Sequence, residues 1–451
     1  MITKLKQSFF LGIIISLFFF SNSLKAEPTL IENAKNPQIS TNGYGQYVYL
    51  IWAQNDGTND IIQGASSSNW GKIFSTPISL SEAGQDAYIP TMVDSDRQSH
   101  IYAMWTRSNG LNDIIQFDAS KNFFSGWLNP EDLSSPGQTA SNPQITIDDL
   151  GQHIYAAWIR SNGTNNMVQF IKSSNFAKSW SNIVDLSEVG QDAQNININV
   201  SSMRQCICAI WQRSNGTNDI IQFRHSSDAG DNWDSVVALS ASGQNAKTPK
   251  ILSKDYAIQT VWVRSNGTND IIQTRCSKDN AQTWENVIDL SDTGQNAKDP
   301  QIAADFSGRY SYCTWVRSNG TNDIIQVSST GNYGTTWSSS IDLSTSGQNA
   351  KNPQIATDNV GQNIYVIWTR SNGTNDIIQL SYSSDYGTTW TAPIDLSEVG
   401  QDAKNPQIMT DYPGMDVYAI WARSDGSKDV IEFSRSYLYG SSFSSPVTIS
   451  N

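Results

Sequence analysis

Cysteine and histidine, the residues that build disulfide frameworks and many metal centres, are scarce in this sequence. Its 451 residues include only four cysteines and three histidines. Cys206 and Cys208 lie two positions apart on one expected strand, which is a poor geometry for a mutual disulfide. Together with Cys276 and Cys313 they match no zinc-binding spacing. We therefore expect four buried, unpaired thiols, no bound metal and no cofactor.

Basic residues and long apolar segments are also scarce. The 29 lysines and arginines are outnumbered by 42 acidic residues, so nucleic acid and anionic membranes are poor partners for this chain. The longest apolar run, residues 9–20, is too short to span a bilayer comfortably. Because it follows Lys4 and Lys6 and precedes small residues, it is typical of a secretory signal peptide.

We predict a signal peptide over residues 1–26. Its removal takes the net charge from −13 to about −16. The mature protein is expected to be an exported monomer, secreted, periplasmic or at the cell surface, with no membrane insertion.

The main feature of the sequence is one repeat that occurs eight times. Its most regular part is Arg-Ser-Asn-Gly-Thr-Asn-Asp-Ile-Ile-Gln, found at residues 213–222, 264–273, 317–326 and 370–379. Near copies begin at Gln54, Arg107, Arg160 and Arg423. A tryptophan stands two positions before each copy, and successive tryptophans are 53 residues apart, with one step of 51. Such a period indicates a repeat architecture.

Each repeat contains four short segments with the composition of β-strands. In the seventh repeat they are residues 353–357, 363–369, 376–381 and 392–397. An Asn-Gly pair between the second and third segments predicts a tight hairpin turn. Four antiparallel strands per period, without helical periodicity, predict an all-β, eight-bladed β-propeller over residues 27–451. The first and last repeats have their own strands, so we expect eight whole blades closed by blade-on-blade packing. An open solenoid is the alternative.

The segment between the third and fourth strands carries a resemblance. Residues 383–390, Ser-Ser-Asp-Tyr-Gly-Thr-Thr-Trp, match the Asp-box Ser-x-Asp-x-Gly-x-Thr-Trp of the bacterial neuraminidase repeat, with weaker copies at 226–233 and 277–284. The chain thus resembles the sialidase-like β-propeller superfamily, in which Asp-boxes also occur in secreted propellers that are not sialidases. We expect the aspartate to bond the turn backbone and the aromatic ring to pack between strands. The residues concerned are Asp228, Asp279, Asp385, Trp233, Trp284, Trp337 and Trp390.

The strand order places two kinds of loop on opposite faces of the ring. The turns between second and third strands share the turn face, as we call it, with the links between blades. The Asp-box turns lie on the other side, the Asp-box face. The links carry Gly-Gln at 84–85, 137–138, 190–191, 243–244, 294–295, 347–348 and 400–401. Loops on the turn face are more alike than the strands, although loops ordinarily vary more, so something constrains them.

Two hypotheses account for this uniformity. In the structural one, Arg370 and Asp376 form a partly buried ion pair, asparagines tie the turn to neighbouring backbone, and Trp368 belongs to the blade core. In the binding one, equivalent pockets hold a repeated ligand, a glycan or a cell-surface protein, and gain by avidity. The candidate ligand-binding residues are Arg107, Arg160, Arg213, Arg264, Arg317, Arg370, Arg423, Asp113, Asp219, Asp270, Asp323 and Asp376.

A sialidase-like activity is the alternative function. The resemblance implies three arginines, a tyrosine nucleophile assisted by a glutamate, and an acid/base aspartate at the axial end opposite the Asp-boxes. The family's Arg-Ile-Pro signature is missing here, and the arginines outside the repeat map to the Asp-box face: Arg97, Arg204, Arg224, Arg275, Arg309 and Arg435. We therefore predict no catalytic residue and a non-catalytic binding protein, with a divergent sialidase-like glycoside hydrolase as the alternative.

Overall fold

The structure of the protein is a computed structural model that describes residues 33–95, 98–201, 206–214, 216–424 and 426–450. Thirty-three strands in these residues form eight consecutive antiparallel sheets. No helix in the described part of the chain is long and apolar enough to cross a membrane. The predicted signal peptide, residues 1–26, lies outside the described residues, as do Arg97 and Arg204.

Each sheet is one blade and is built from one repeat. Blade 1 contains β1 (Ala34–Thr41), β2 (Val48–Asn55), β3 (Asp60–Ser67) and β4 (Ile78–Ser79). Blade 2 contains β5 (Ala87–Asp94), β6 (Ile101–Ser108), β7 (Asp113–Asn122), β8 (Ser125–Trp127) and β9 (Glu131–Asp132). Blade 3 contains β10 (Ala140–Ile147), β11 (Ile154–Ser161), β12 (Asn166–Ser173) and β13 (Val184–Asp185). Blade 4 contains β14 (Ala193–Ser201), β15 (Cys206–Ser214), β16 (Asp219–Ser226) and β17 (Val237–Ala238).

The second half of the ring repeats this plan. Blade 5 contains β18 (Ala246–Lys254), β19 (Ala257–Ser265), β20 (Asp270–Ser277) and β21 (Ile288–Asp289). Blade 6 contains β22 (Ala297–Ala304), β23 (Ser311–Ser318), β24 (Asp323–Thr330) and β25 (Ile341–Asp342). Blade 7 contains β26 (Ala350–Thr357), β27 (Ile364–Ser371), β28 (Asp376–Ser383) and β29 (Ile394–Asp395). Blade 8 contains β30 (Asp402–Thr410), β31 (Val417–Ser424), β32 (Asp429–Ser436) and β33 (Val447–Thr448).

The hydrophobic core lies between neighbouring blades. The second strands are almost fully buried because they are continuous runs of β-branched and aromatic residues. The repeat tryptophan, such as Trp315, is fully buried, and its Nε1 donates to Oε1 of Gln326 on the third strand at 3.1 Å. Gln326 Nε2 in turn donates to Asp342 on the fourth strand at 2.7 Å. The tryptophans therefore belong to the blade core, as the structural hypothesis predicted.

Blade 8 packs directly against blade 1. Trp52 and Leu50 of blade 1 share one core cluster with Tyr418 and Phe433 of blade 8. Each of these two blades keeps its own complete set of strands. The eight-bladed propeller closed by blade-on-blade packing is thus confirmed, and the open solenoid is excluded.

The predicted division of the loops between two faces is also confirmed. On the turn face, the backbone N–H of Asp376 donates to Oδ1 of Asp402 in the next link at 2.8 Å. On the opposite side, the backbone N–H of Tyr386 in an Asp-box turn donates to the carbonyl of Gln362 at 3.2 Å. Each kind of loop therefore contacts the neighbours that the strand order predicted.

Some details differ from the sequence-based expectations. Blade 2 has an additional strand, β8, which pairs with the extended third strand β7. The outermost strands have only two residues each, such as Ile394–Asp395, which is shorter than the segments predicted from the sequence. The four cysteines are buried and form no disulfide, as expected.

Candidate binding face

The turn between the second and third strands is a four-residue loop rather than a two-residue turn. In blade 7, Ser371 pairs with Asp376 across the loop. Oδ1 of Asn372 accepts the backbone N–H groups of Thr374 at 2.9 Å and Asn375 at 2.8 Å. Gly373 has a φ of 94°, a backbone conformation that side chains disfavour. Local backbone bonding therefore explains why Asn and Gly recur in this loop.

At six of the eight joints between neighbouring blades, a single link residue bonds to both blades. Asn349 accepts the backbone N–H of Asp323 in blade 6 through Oδ1 at 2.9 Å. Its main-chain carbonyl accepts the backbone N–H of Ser371 in blade 7 at 2.8 Å. We call the residues that make both contacts the clasp residues. They are Asn33, Asp86, Asp192, Asn245, Asn296 and Asn349.

The clasp also closes the ring. Asn33, just before β1, accepts the backbone N–H of Asp429 in blade 8 at 3.3 Å and that of Asn55 in blade 1 at 3.2 Å. The recurring loops are thus part of the interblade joint. This supports a structural reason for their uniformity.

The predicted ion pair between Arg370 and Asp376 is wrong. In the hairpin register Arg370 faces Ile377, so its side chain leaves the sheet on the side opposite to Asp376. Asp376 pairs instead with Lys351 of the first strand at 2.8 Å.

The other candidate aspartates are engaged within their own blades too. Asp270 pairs with Lys247 and Asp323 pairs with Lys298, both at 2.8 Å. Asp219 accepts from Nε2 of Gln212 at 2.9 Å. Asp113 accepts a hydrogen bond from Tyr88, and burial together with this aspartate raises the pKa of the tyrosine. The structure therefore does not bring these aspartates together with the repeat arginines.

Each repeat arginine lies beside the link that precedes its blade. Its register partner on the first strand is a fully buried alanine, such as Ala193 opposite Arg213, which leaves room for the long side chain. Nη2 of Arg213 lies 4.0 Å from Oε2 of Glu188 in the link. In blade 8, Nη1 of Arg423 donates to Oε1 of the link residue Gln401. We call a repeat arginine and the glutamine of its preceding Gly-Gln link an Arg–Gln site.

Several Arg–Gln sites contain buried polar atoms without a partner. The Nε atoms concerned belong to Arg107, Arg160, Arg213, Arg317 and Arg370. The Oε1 atoms concerned belong to Gln85, Gln138, Gln191 and Gln244. Blades 2, 3 and 4 therefore have both an unpaired donor and an unpaired acceptor at one site. Leaving such a group unpaired costs about 1–3 kcal/mol, but protein encloses each of these atoms, so a ligand would reach them only after the side chains or the link rearrange.

The sites in the blades at the seam differ. In blade 8, Nε of Arg423 donates to Oε1 of Glu432 at 2.5 Å. In blade 1, Gln54 replaces arginine and accepts from Nε1 of Trp52 at 3.0 Å. Arg264 of blade 5 completes the candidate arginines, and its register partner is the buried Ala246. The eight positions are thus equivalent in the fold but not in their unused hydrogen-bonding capacity.

A ring of β-bulges surrounds the axis on the turn-face side, and sequence reasoning missed it. The pairing register of β26 shifts between Lys351 and Gln354, and Asn352 at the bulge has a φ of 54°. Every blade has a non-glycine residue with positive φ at this position, between 50° and 57°. The bulges line a central cavity of about 490 Å³. The sequence signal that could have revealed the bulges is a recurring Asn-Pro-Gln triplet, at 36–38, 142–144, 352–354 and 405–407.

The Asp-box turns have the local bonding that was expected of them. Oδ1 of Asp385 accepts the backbone N–H of Thr389 at 2.8 Å, and Asp279 and Asp228 make the equivalent bonds at 2.9 and 2.8 Å. These bonds favour the ionised carboxylate. The backbone and side chain of Asn232 lower the pKa of Asp228 to about 2.

The aromatic residues of these turns pack between blades rather than between strands of one blade. The ring of Trp233 meets Phe170 of the preceding blade edge-on, with centroids 5.0 Å apart. Trp284 meets Phe223 in the same way, also at 5.0 Å. Trp337 and Trp390 pack against the equivalent core clusters. The expected packing within one sheet is therefore replaced by interblade packing.

Comparisons with known proteins establish the fold and no more. No protein-family model matches the sequence, and no curated protein matches it. Among solved structures, an ulvan lyase bound to -[GlcA(1-4)Rha3S]- has a TM-score of 0.52 at 11% identity, covering 91% of this chain and 95% of its own. The polysaccharide lyase Uly1 has a TM-score of 0.50 at 9% identity, covering 82% and 94%. At such identities the likeness shows a shared propeller fold.

A leech intramolecular trans-sialidase is more remote, with a TM-score of 0.40 at 10% identity and coverage of 87% of this chain and 88% of its own.

The described arginines outside the repeat contact main-chain carbonyls near the Asp-box face. Arg224 donates to Asp234 at 2.7 Å and Arg275 donates to Glu285 at 2.8 Å. The equivalent donations of Arg309 and Arg435 go to Gly331 and Trp70. These four arginines therefore do not form a common anion-binding cluster on the turn face.

Proposed function

We propose that this protein is an exported, non-catalytic propeller that binds a glycan through repeated Arg–Gln sites on the turn face. The observation that carries the proposal is the pair of unpartnered atoms in blades 2, 3 and 4. At each of these sites an arginine N–H donor and a glutamine carbonyl acceptor are buried without a partner. A sugar hydroxyl both donates and accepts a hydrogen bond, so it suits such a pair.

Repetition gives these sites their strength. A single hydroxyl contact is weak, but blades 2, 3 and 4 are consecutive and present the same pair of atoms at the same place in the fold. Linked weak sites bind a polymer with an avidity well above the affinity of one site. A polysaccharide with a regular repeat is therefore a better ligand than a monosaccharide.

Two further considerations support a glycan as the ligand class. The ulvan lyase and Uly1, which share the fold, are named for action on polysaccharides. The resemblance of residues 383–390 to an Asp-box points to a group that contains carbohydrate-active and non-catalytic secreted propellers alike. Glycans are consequently the first class of ligand to test.

The test is a glycan array with the purified mature protein, followed by titration of each positive glycan. The variant R107Q/R160Q/R213Q removes the three unpartnered Nε donors. We expect at least tenfold weaker binding with an unchanged melting temperature, because Gln54 already occupies this position in blade 1. The control K178Q/K278Q/R309Q removes the same charge from the Asp-box side and leaves binding unchanged.

Three results would contradict the proposal. They are the absence of binding to any arrayed glycan, full binding by the triple arginine variant, and cleavage of a bound glycan by the wild-type protein. Cleavage would contradict only its non-catalytic part. A collapse of the melting temperature in the arginine variant would instead show that these side chains hold the ring together.

A further inference from the structure

The central cavity departs from the symmetry of the ring at one residue. The position two residues after each bulge residue is glutamine in five blades: Gln38, Gln144, Gln301, Gln354 and Gln407. In blade 5 this position is Lys250, which lines the cavity together with the glutamines. In the two remaining blades the position is occupied by the uncharged residues Thr91 and Asn197. One cation thus stands in an otherwise neutral ring of side chains.

Among the described residues, the ammonium group of Lys250 forms no salt bridge within 4.0 Å. Burial lowers the pKa of Lys250, whereas Asp299 of the next blade, which also lines the cavity, favours the charged form of the lysine. Because Lys250 is only partly buried and forms no direct ion pair, its ammonium group is open to an anion that enters the cavity.

The rest of the cavity wall suits a hydroxylated molecule. Glutamine carboxamides donate and accept hydrogen bonds. Proline residues such as Pro353 and Pro406 alternate with them and supply apolar surface. The volume of about 490 Å³ falls within the range of about 300–1,000 Å³ that is usual for small-molecule sites.

We infer that the central cavity is a single-copy binding site for a small, hydroxylated organic anion, whose charged group contacts Lys250. The inference does not depend on the Arg–Gln sites, because it uses the axis of the ring and a residue that occurs in one blade. The two kinds of site also differ in number. The cavity takes one ligand per chain, whereas the Arg–Gln sites recur.

The test is calorimetric titration with D-glucuronate, with glucose and inorganic sulfate as comparison probes. We expect glucuronate to bind at one molecule per chain, and both probes to bind at least tenfold more weakly. K250Q restores the residue of five other blades, so it should fold normally and weaken glucuronate binding at least tenfold. The control K247Q removes a lysine that is exposed and paired with Asp270, and it should leave binding unchanged.

The outcomes separate this site from the proposed function. Glucuronate binding that survives in R107Q/R160Q/R213Q and fails in K250Q supports a distinct axial site, whatever the glycan array shows. No glucuronate binding, or equal binding by K250Q and wild type, would overturn the inference. Sulfate that binds as tightly as glucuronate would show a bare-anion site and overturn the assignment to an organic ligand.

Discussion

The two faces of the ring join the blades by different chemistry. On the turn face, a clasp residue such as Asn349 bonds the backbone of two blades at once. On the Asp-box side, tyrosine hydroxyls donate to carbonyls of the next blade, as Tyr365 does to Gly414 at 2.6 Å, and tryptophans pack on the preceding blade. Directional bonds to backbone require a particular side chain at a particular place. Apolar packing accepts several shapes.

This difference explains why one set of loops is uniform and the other varies. The six clasp residues are asparagine or aspartate, and each accepts a backbone N–H through Oδ1, so the loop that supplies this N–H must keep its backbone conformation. The Asp-box turns tolerate Asn175 and Asn332 in place of aspartate, because the amide oxygen accepts the same backbone N–H. They also tolerate the additional strand β8 in blade 2.

The contrast is largest for the tryptophans of one blade. Trp315 is fully buried between blades, whereas Trp337 of the Asp-box turn is only partly buried. We expect Trp315→Ala to lower the free energy of unfolding by about 3–5 kcal/mol and Trp337→Ala to lower it by about 1.5–3 kcal/mol. Urea unfolding followed by circular dichroism measures both. Equal losses would show that the tryptophan of the Asp-box turn contributes as much to the core as the tryptophan of the second strand.

The clasp gives the next largest effect. Asn349→Ala removes the acceptor for the backbone N–H of Asp323, and we expect a loss of about 0.5–1.5 kcal/mol in the free energy of unfolding. Asn349→Asp keeps the acceptor, as Asp86 and Asp192 do in other links, and should be close to neutral. The same urea series measures both variants. If the alanine variant were as stable as the aspartate variant, the uniform loops would need another explanation.

The smallest effect is a pH dependence confined to the Asp-box face. The pKa of Asp228 is lowered to about 2, and those of Asp279 and Asp385 are also lowered, by hydrogen bonds to the carboxylates. A lowered pKa in the folded state stabilises the fold above the unfolded pKa of about 3.9. This contribution is lost as the pH falls from about 4 towards about 2.

The corresponding variant is D228N/D279N/D385N, which has natural precedent at Asn175 and Asn332. Its stability deficit relative to wild type should shrink between pH 5 and pH 2 in thermal melts at low salt. A deficit that stays constant over this range would mean that the three carboxylates do not titrate with folding.

The sequence was sufficient for the architecture because the period, the strand composition and the order of the turns are all local signals.

The bulge at Asn352 was missed for a physical reason. Pro353 has no N–H and reads as the start of a strand, but the bulge lets β26 begin earlier, at Ala350. The bulge can be recognised only from the pairing register of two strands, which the sequence of one strand does not show.

The candidate site was predicted only in part. Arg370 and Asp376 are six positions apart and both lie near the hairpin base, which suggested an ion pair. In the pleated sheet the neighbour Ser371 faces Asp376, and consecutive side chains alternate between faces. Lys351, the actual partner of Asp376, comes from a strand that precedes the loop by about twenty residues.

The lysine at position 250 could not be recognised from the sequence as a candidate site residue. It stands out only when the first strands of all eight blades surround one axis.

Every blade consists of contiguous sequence, and the chain crosses from one blade to the next only through a short link. The blade is therefore also the unit in which the ring can be rearranged. A chain reopened within any link, with residues 33 and 450 joined by a short connector, would make the same eight sheets in a different order of synthesis. The blade that leaves the ribosome first could then be any of the eight, while the cyclic order of the blades stays the same.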